Sequence, residues 1–143
     1  MTTIAYAQGI LAADTQLTTP DGAKRKVKKL VRLDDGSLFA AAGDAPAAAA
    51  LQKWAEAGCP KKPKPRFSKD MAVDAILVKP DGTAWLFTNS AVPEKIEDDF
   101  VAIGSGHGVA TGAMAFGATA IEAVECAAKY DSSTGLPVEH IKL

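Results

Sequence analysis

The sequence predicts an α+β fold in which antiparallel sheets are covered by helices on their outer faces. Three observations carry that prediction. Asp-Gly dipeptides in TPDGAK, LDDGSL and KPDGTAW each lie between runs able to form strands, a helix-like segment follows Asp44, and an Ala/Gly-rich segment follows IGSGHG. Glycine accepts the positive φ that a tight hairpin requires, so Asp-Gly marks turns with strands on both sides. The resulting order is strands, a helix, strands, a long helix and a last strand, which suits a layered α+β arrangement.

The elements follow in chain order. Thr3 to Ala7 and Ile10 to Asp14 form a hairpin around Gln8-Gly9, and Lys28 to Leu33 pairs with Ser37 to Ala42 around Asp35-Gly36. Asp44 caps a helix with Pro46 in its opening turn, and Gly58 and Pro60 stop it. Val73 to Val78 and Thr83 to Thr88 make another hairpin, and Phe100 to Ile103 adds a short strand. A long helix is expected from about Val109 to Lys129, then a strand from Val138 to Ile141. Between the helices, CPKKPKPRFSKD is too rich in Pro and Lys for regular structure and is expected to be an exposed loop within one domain, residues 1–143.

Composition narrows the function classes. With 48% hydrophobic and 23% charged residues in 143, the chain can bury a core of its own. A formal charge of −1 argues against nucleic acid or an anionic membrane as the general partner. The charge is nevertheless uneven, basic in KRKVKK (Lys24 to Lys29) and acidic in EKIEDD (Glu94 to Asp99). The basic runs lack interleaved aromatics, so solvated faces are expected. Cys59 and Cys126 are far apart with no CxxC spacing, which suggests neither a zinc site nor a disulfide framework and fits a reducing cytoplasm. No run is long enough to span a membrane, and no secretory leader is expected.

Two charged residues invite a chemical reading. In VKKLVRL, period-two parity puts Val27, Lys29, Val31 and Leu33 on one face, so a lysine shares a face with three aliphatics. Its ammonium either snorkels to water or is held by an acidic partner, for which Asp14 at the end of ILAAD is the candidate. At the other end of the first hairpin, removal of Met1 would leave Thr2 with a hydroxyl and a free amine on one residue. That pair is a potential catalytic unit.

TTIAYAQGILAAD, VKKLVRL, FAAAGDA, FVAIGSG and YDSSTG together resemble, in order and spacing, the N-terminal-nucleophile threonine peptidases: proteasome β-subunits and the HslV-type protease. The resemblance covers nearly the whole chain. It implies a four-layer αββα sandwich of two antiparallel sheets, with the second helix of the first pair missing because the Pro/Lys-rich loop occupies its interval. It implies Thr2 as nucleophile, Asp14 and Lys29 as the acid–lysine pair beside it, and Gly43 as the oxyanion N–H donor. Ser105, Asp131 and Thr134 would support the amine and the attacking water. Leu17, Val27, Ala41 and Ala45 would line an apolar pocket for the residue before the cut bond. Asp44 departs from the HslV-type pattern, and its carboxylate would oppose an oxyanion unless it serves as a helix cap. The resemblance further implies protein or peptide substrates, a homo-oligomeric ring, a cytoplasmic setting and a separate ATPase unfoldase. No cofactor or metal is expected, and no GxxxxGK[ST] is present to bind ATP. The alternative is a non-catalytic relative that retains Met1 and serves in assembly or interaction. His107 and His140 are expected to be ordinary surface histidines, and Trp54, Trp85, Phe87, Met71 and Met114 packing residues.

Overall fold

The computed structural model describes residues 2–59, 65, 67, 70–89 and 92–143. In chain order these form β1 (Thr3–Ala7), β2 (Ile10–Ala13), β3 (Gln16–Thr18), β4 (Lys24–Lys26), β5 (Leu30–Arg32), β6 (Leu38–Gly43) and α1 (Ala45–Glu56). There follow β7 (Val73–Val78), β8 (Ala84–Phe87), β9 (Glu94–Lys95), β10 (Phe100–Gly104), α2 (His107–Ala115), α3 (Ala120–Tyr130) and β11 (Glu139–Lys142). One sheet has the order β10-β1-β2-β11, another β5-β6-β7-β8-β9, and β3-β4 is a separate ribbon. Every strand pairing is antiparallel, and each expected Asp-Gly turn closes a hairpin.

Alternation along the strands sorts the side chains into three apolar cores. Ile4, Leu11 and Ile103 from the four-stranded sheet meet Leu38, Ile76 and Val78 from the five-stranded sheet. The opposite face of the latter presents Phe39, Ala75 and Leu77 to Leu51 and Ala55 of α1. Ala5 and Ala12 turn the other way, onto Ala110, Met114 and Ala123 of the other two helices. Small side chains at these contacts let helix and sheet backbones approach closely. Trp54 and Phe87 meet edge to face with ring centroids 5.5 Å apart, as expected of packing aromatics. None of the described helices is long and apolar enough to cross a membrane.

Three expectations need correction. The single long helix over 109–129 is two helices, α2 and α3, because Gly117 takes φ +100° and the chain turns there. Thr119 then starts α3 with a capping box: its hydroxyl accepts from Glu122 N–H at 3.1 Å while the Glu122 carboxylate accepts from Thr119 N–H at 3.0 Å. The T-x-x-E spacing was in the sequence, hidden inside an alanine-rich run that suits helix on both sides. The strand expected over Lys28–Leu33 shortens to Leu30–Arg32, because Val27 N–H donates to Thr15 O at 2.8 Å and draws the preceding residues towards β3. The two-residue β9 was not expected at all. The loop expected between the helices lies largely outside the described residues; Pro65, Phe67 and Asp70 to Ala72, which are described, are not helical.

Replacing Thr119 with alanine removes one half of the capping box and leaves an N–H of the first turn without its acceptor. The Thr119→Ala variant should lose about 1 kcal/mol of stability in urea unfolding, with an unchanged m-value. An effect near zero would show that the α2–α3 break does not depend on that cap.

Candidate functional site

Asp14 follows β2 directly, at the point where the β1–β2 ladder ends. Its side chain is fully buried and accepts four hydrogen bonds. Oδ1 accepts from Thr3 N–H at 3.1 Å and from the Lys29 ammonium at 2.7 Å, and Oδ2 accepts from Gln16 N–H at 3.2 Å and Gly135 N–H at 3.0 Å. Two oxygens offer roughly four acceptor positions, so the carboxylate is saturated. Lys29, in the segment between β4 and β5, also donates to Gln16 O at 2.6 Å. Its side chain is only 8% exposed. Burial lowers the Lys29 pKa from its ordinary value, and the Asp14 hydrogen bond and charge offset that shift in part.

Thr2 precedes β1 and is nearly buried. Its carbonyl accepts from Ser105 N–H at 2.8 Å. The contact depends on Gly104 (φ +95°), where an added Cβ would come within 1.6 Å of Thr2 O. Gly43 is under the same restriction at the end of β6, where a Cβ would lie 2.1 Å from Ala72 O at φ +121°. The next residue, Asp44, donates its N–H to Ala72 O at 2.8 Å and accepts Ala47 N–H on Oδ1 at 3.1 Å. Asp44 is therefore the N-cap of α1, which accounts for a carboxylate immediately after Gly43.

Thr2, Lys29 and Gly43 line one cleft of about 170 Å³. Leu17, Val27, Ala41 and Ala45 line the same cleft, so all the residues assigned to it from the sequence come together. The structure adds Lys28, Ala48, Ala49 and Gln52, which sequence reasoning missed. Three of these were recoverable, because Ala48, Ala49 and Gln52 follow Ala45 at the spacing of one helix face.

Behind Thr2 runs a chain of hydroxyls. Ser105 Oγ and Thr134 Oγ1 both donate to Asp131 Oδ2 at 2.5 Å. Thr134 has a single proton, so its 2.6 Å contact with Thr3 Oγ1 has Thr3 as donor, and Thr3 Oγ1 in turn accepts from Gly106 N–H at 3.1 Å. The relay is N–H to hydroxyl to hydroxyl to carboxylate, and each bond polarises the next. Desolvation by burial would raise the Asp131 pKa, but the donors Ser105, Thr134 and Ser133 N–H outweigh it and hold the carboxyl below its ordinary value. Asp131 also stands at the C-cap of α3, where a negative charge meets the negative end of the helix dipole, so these donors offset an unfavourable position. Thr3, Gln16 and Gly135 were not singled out from the sequence. Thr3 resembles any alternating strand residue, and Gln16 and Gly135 contribute only backbone groups to Asp14 and Lys29.

His107 Nδ1 lies 2.8 Å from Gly104 O, and the residue is exposed at the start of α2. No group of three or more His, Cys, Asp or Glu able to hold a metal occurs among the described residues.

No family model matches this sequence, and no curated protein matches it. Solved structures do. The chain is similar to HslV from Trypanosoma brucei, at 20% identity and a TM-score of 0.72 over 99% of both chains. It is also similar to Thiobacillus denitrificans BPH in complex with epoxomicin, at 22% identity and a TM-score of 0.71 over 99% of this chain and 97% of that one. A second structure of that BPH gives 22% identity and a TM-score of 0.67 over 99% of this chain and 96% of the other. At such identities the likeness establishes a shared fold.

Two predictions follow from the carboxylates. Asp14→Ala would strand the Lys29 ammonium and the Gln16 and Gly135 N–H groups in the interior and should cost about 3–5 kcal/mol in denaturant unfolding. The double variant Asp14→Leu/Lys29→Met should recover part of that loss; no recovery would mean that the geometry, not the unpaired charge, sets the cost. Asp131, with its folded pKa depressed, contributes stability that is complete above the unfolded value of about 3.9 and is lost as pH falls through the folded pKa. Asp131→Asn should therefore flatten the acid limb of a stability–pH curve below about pH 4. An acid limb of unchanged slope would contradict the hydrogen-bonded, ionised carboxylate.

Proposed function

We propose that this chain, with the fold it shares with HslV, is a threonine-type peptide-bond hydrolase whose nucleophile is Thr2 after removal of Met1. The observation that carries the reading is the meeting of Thr2, Lys29 and Gly43 in one cleft, with Lys29 held by the saturated Asp14 carboxylate. Met1 itself lies outside the described residues. We treat residues 1–143 as one domain and its sheets and helices as the four-layer αββα sandwich of that family.

The chemistry follows from ordinary acidities. A threonine hydroxyl is a weak nucleophile at neutral pH until a neighbouring base takes its proton. A free α-amine, with a reference pKa near 8, is partly neutral under these conditions, and a nearby ammonium depresses it further. Lys29 supplies that charge, and Asp14 keeps it charged and oriented. The hydroxyl proton passes to the free amine, because the Lys29 ammonium, donating to Asp14, has no lone pair with which to accept it. Attack on a peptide carbonyl creates an oxyanion, which the Gly43 N–H would stabilise by about 3 kcal/mol. The Ser105–Asp131–Thr134 relay braces the Thr2 backbone through the Ser105 N–H and supports the amine and the water that releases the acyl group. Leu17, Val27, Ala41 and Ala45 favour a medium or large apolar side chain before the cut bond. Self-association into a ring with the sites enclosed, and a separate ATP-driven unfoldase, complete the reading; both would keep an exposed peptidase from degrading cellular protein indiscriminately.

Intact mass of the protein from cytosolic expression, before and after a threonine-reactive β-lactone or epoxomicin, tests the reading. Loss of Met1 and a single adduct on Thr2, absent in Thr2→Ala, are expected. Lys29→Ala should lower kcat/KM on apolar peptides by about 10²- to 10⁴-fold. Retained Met1 with no adduct would instead leave a non-catalytic assembly or interaction protein on the same fold. Native mass measurement reports the ring.

A further inference from the structure

Along α1 the cleft beside Thr2 is lined by Ala45, Ala48 and Ala49 and by the uncharged Gln52, but Lys28 stands among the other lining residues. Lys28 is exposed and continues a run of exposed cations, Lys24, Arg25 and Lys26, which make up β4. The ion pairs among the described residues are Lys29–Asp14 and Lys95–Glu97, so none of these four cations has a described carboxylate within 4.0 Å. The acid on the β3–β4 hairpin, Asp21, is engaged by the Thr19 hydroxyl and the Ala23 N–H. Glu56 on α1 accepts from Gln52 Nε2 at 3.0 Å and is not part of the lining. Among the described lining residues Lys28 and Lys29 carry charge, and Asp14 compensates Lys29. Asp44, between the lining residues Gly43 and Ala45, accepts Ala47 N–H as the cap of α1, so the charge left without a partner in the described lining is that of Lys28.

We infer that the cleft selects peptide segments in which an acidic residue flanks the apolar side chain it receives, with Lys28 as the cation that recognises the acid. The inference rests on the peptide-cleaving reading for its place in a reaction, but peptide binding tests it independently. The Lys24–Lys26 run extends the same field along the rim and concentrates acidic segments near the cleft, an effect that salt screens. A lysine rather than an arginine at the lining gives a point charge on a flexible stem, which accepts an acid in more than one register.

The test uses the full chain carrying Thr2→Ala and rhodamine-labelled six-residue peptides with a central leucine flanked by glutamate or by lysine. Fluorescence anisotropy should show the glutamate peptide binding about five-fold more tightly at low ionic strength, the gain available from one exposed charge pair. The difference should close at about 0.5 M salt, and Lys28→Glu should reverse the order. Equal binding of the two peptides, no binding of either, or a preference unmoved by Lys28→Glu would overturn the inference. Displacement of the glutamate peptide by a single-stranded oligonucleotide of equal charge at equal concentration would also overturn it, because the cations would then be reading polyanions in general. Labelling of Thr2 in the unsubstituted chain is scored separately: an adduct without acid preference sinks only this inference, and acid preference without an adduct sinks only the peptidase reading.

Discussion

The Asp14 carboxylate is the constraint on which the rest of the structure depends. It ends β2 inside the protein, where an ionised group is tolerable only if its acceptor positions are filled. Four parts of the chain fill them: the start of β1 through Thr3 N–H, the start of β3 through Gln16 N–H, the β4–β5 connection through Lys29, and the turn before β11 through Gly135 N–H. Segments that are distant in sequence thus converge on one buried charge. The convergence explains why Lys29 leaves the strand that its sequence pattern suggests. A regular strand through Val27 to Lys29 would satisfy backbone groups locally, but reaching Asp14 and Gln16 O satisfies a buried ammonium, and that is the larger cost to avoid.

Close backbone approach is the second constraint, and it belongs to a few small residues. Gly104 lets the end of β10 lie against Thr2, and Gly43 lets β6 end against Ala72 O as α1 begins. Gly106, where a Cβ would lie 2.2 Å from Thr3 Oγ1, keeps its N–H within reach of the hydroxyl relay. Each glycine removes a methyl that would push apart two segments of the candidate site. The alanines of α1 do the same for the cleft, leaving open volume where larger side chains would fill it.

Much of the fold was legible in local signals. Asp-Gly turns set the hairpins because few other residues accept the positive φ at Gly22, Gly36 and Gly82. Asp44 and Pro46 marked the start of α1, and Asp44 proved to be the cap that its awkward position after Gly43 suggested. The break between α2 and α3 was less legible, since alanine favours helix on both sides and Gly117 is one of several small residues in a permissive run. The short β9 carries no apolar alternation. At the site, strand parity singled out Lys29 with Asp14 as its partner and spaced motifs gave Leu17, Val27, Ala41 and Ala45, whereas Lys28, Thr3 and Gly135 escaped because their contributions depend on what lies opposite them.

The sequence by itself determined the hairpin turns, the first helix cap and most of the strands, and it supplied the hydroxyl, lysine and carboxylate side chains of the candidate site, because turn geometry, capping and acidity are properties of a few neighbouring residues. Only the tertiary structure decided that Asp14 would be saturated by four donors, that Thr3, Thr134 and Asp131 would form one proton-ordered relay, and that Lys28 would line the cleft with no described carboxylate opposite it. Those facts depend on segments up to 131 residues apart, as between Thr3 and Thr134, being brought to hydrogen-bond distance. Local sequence specifies which groups are available, and packing specifies which of them meet.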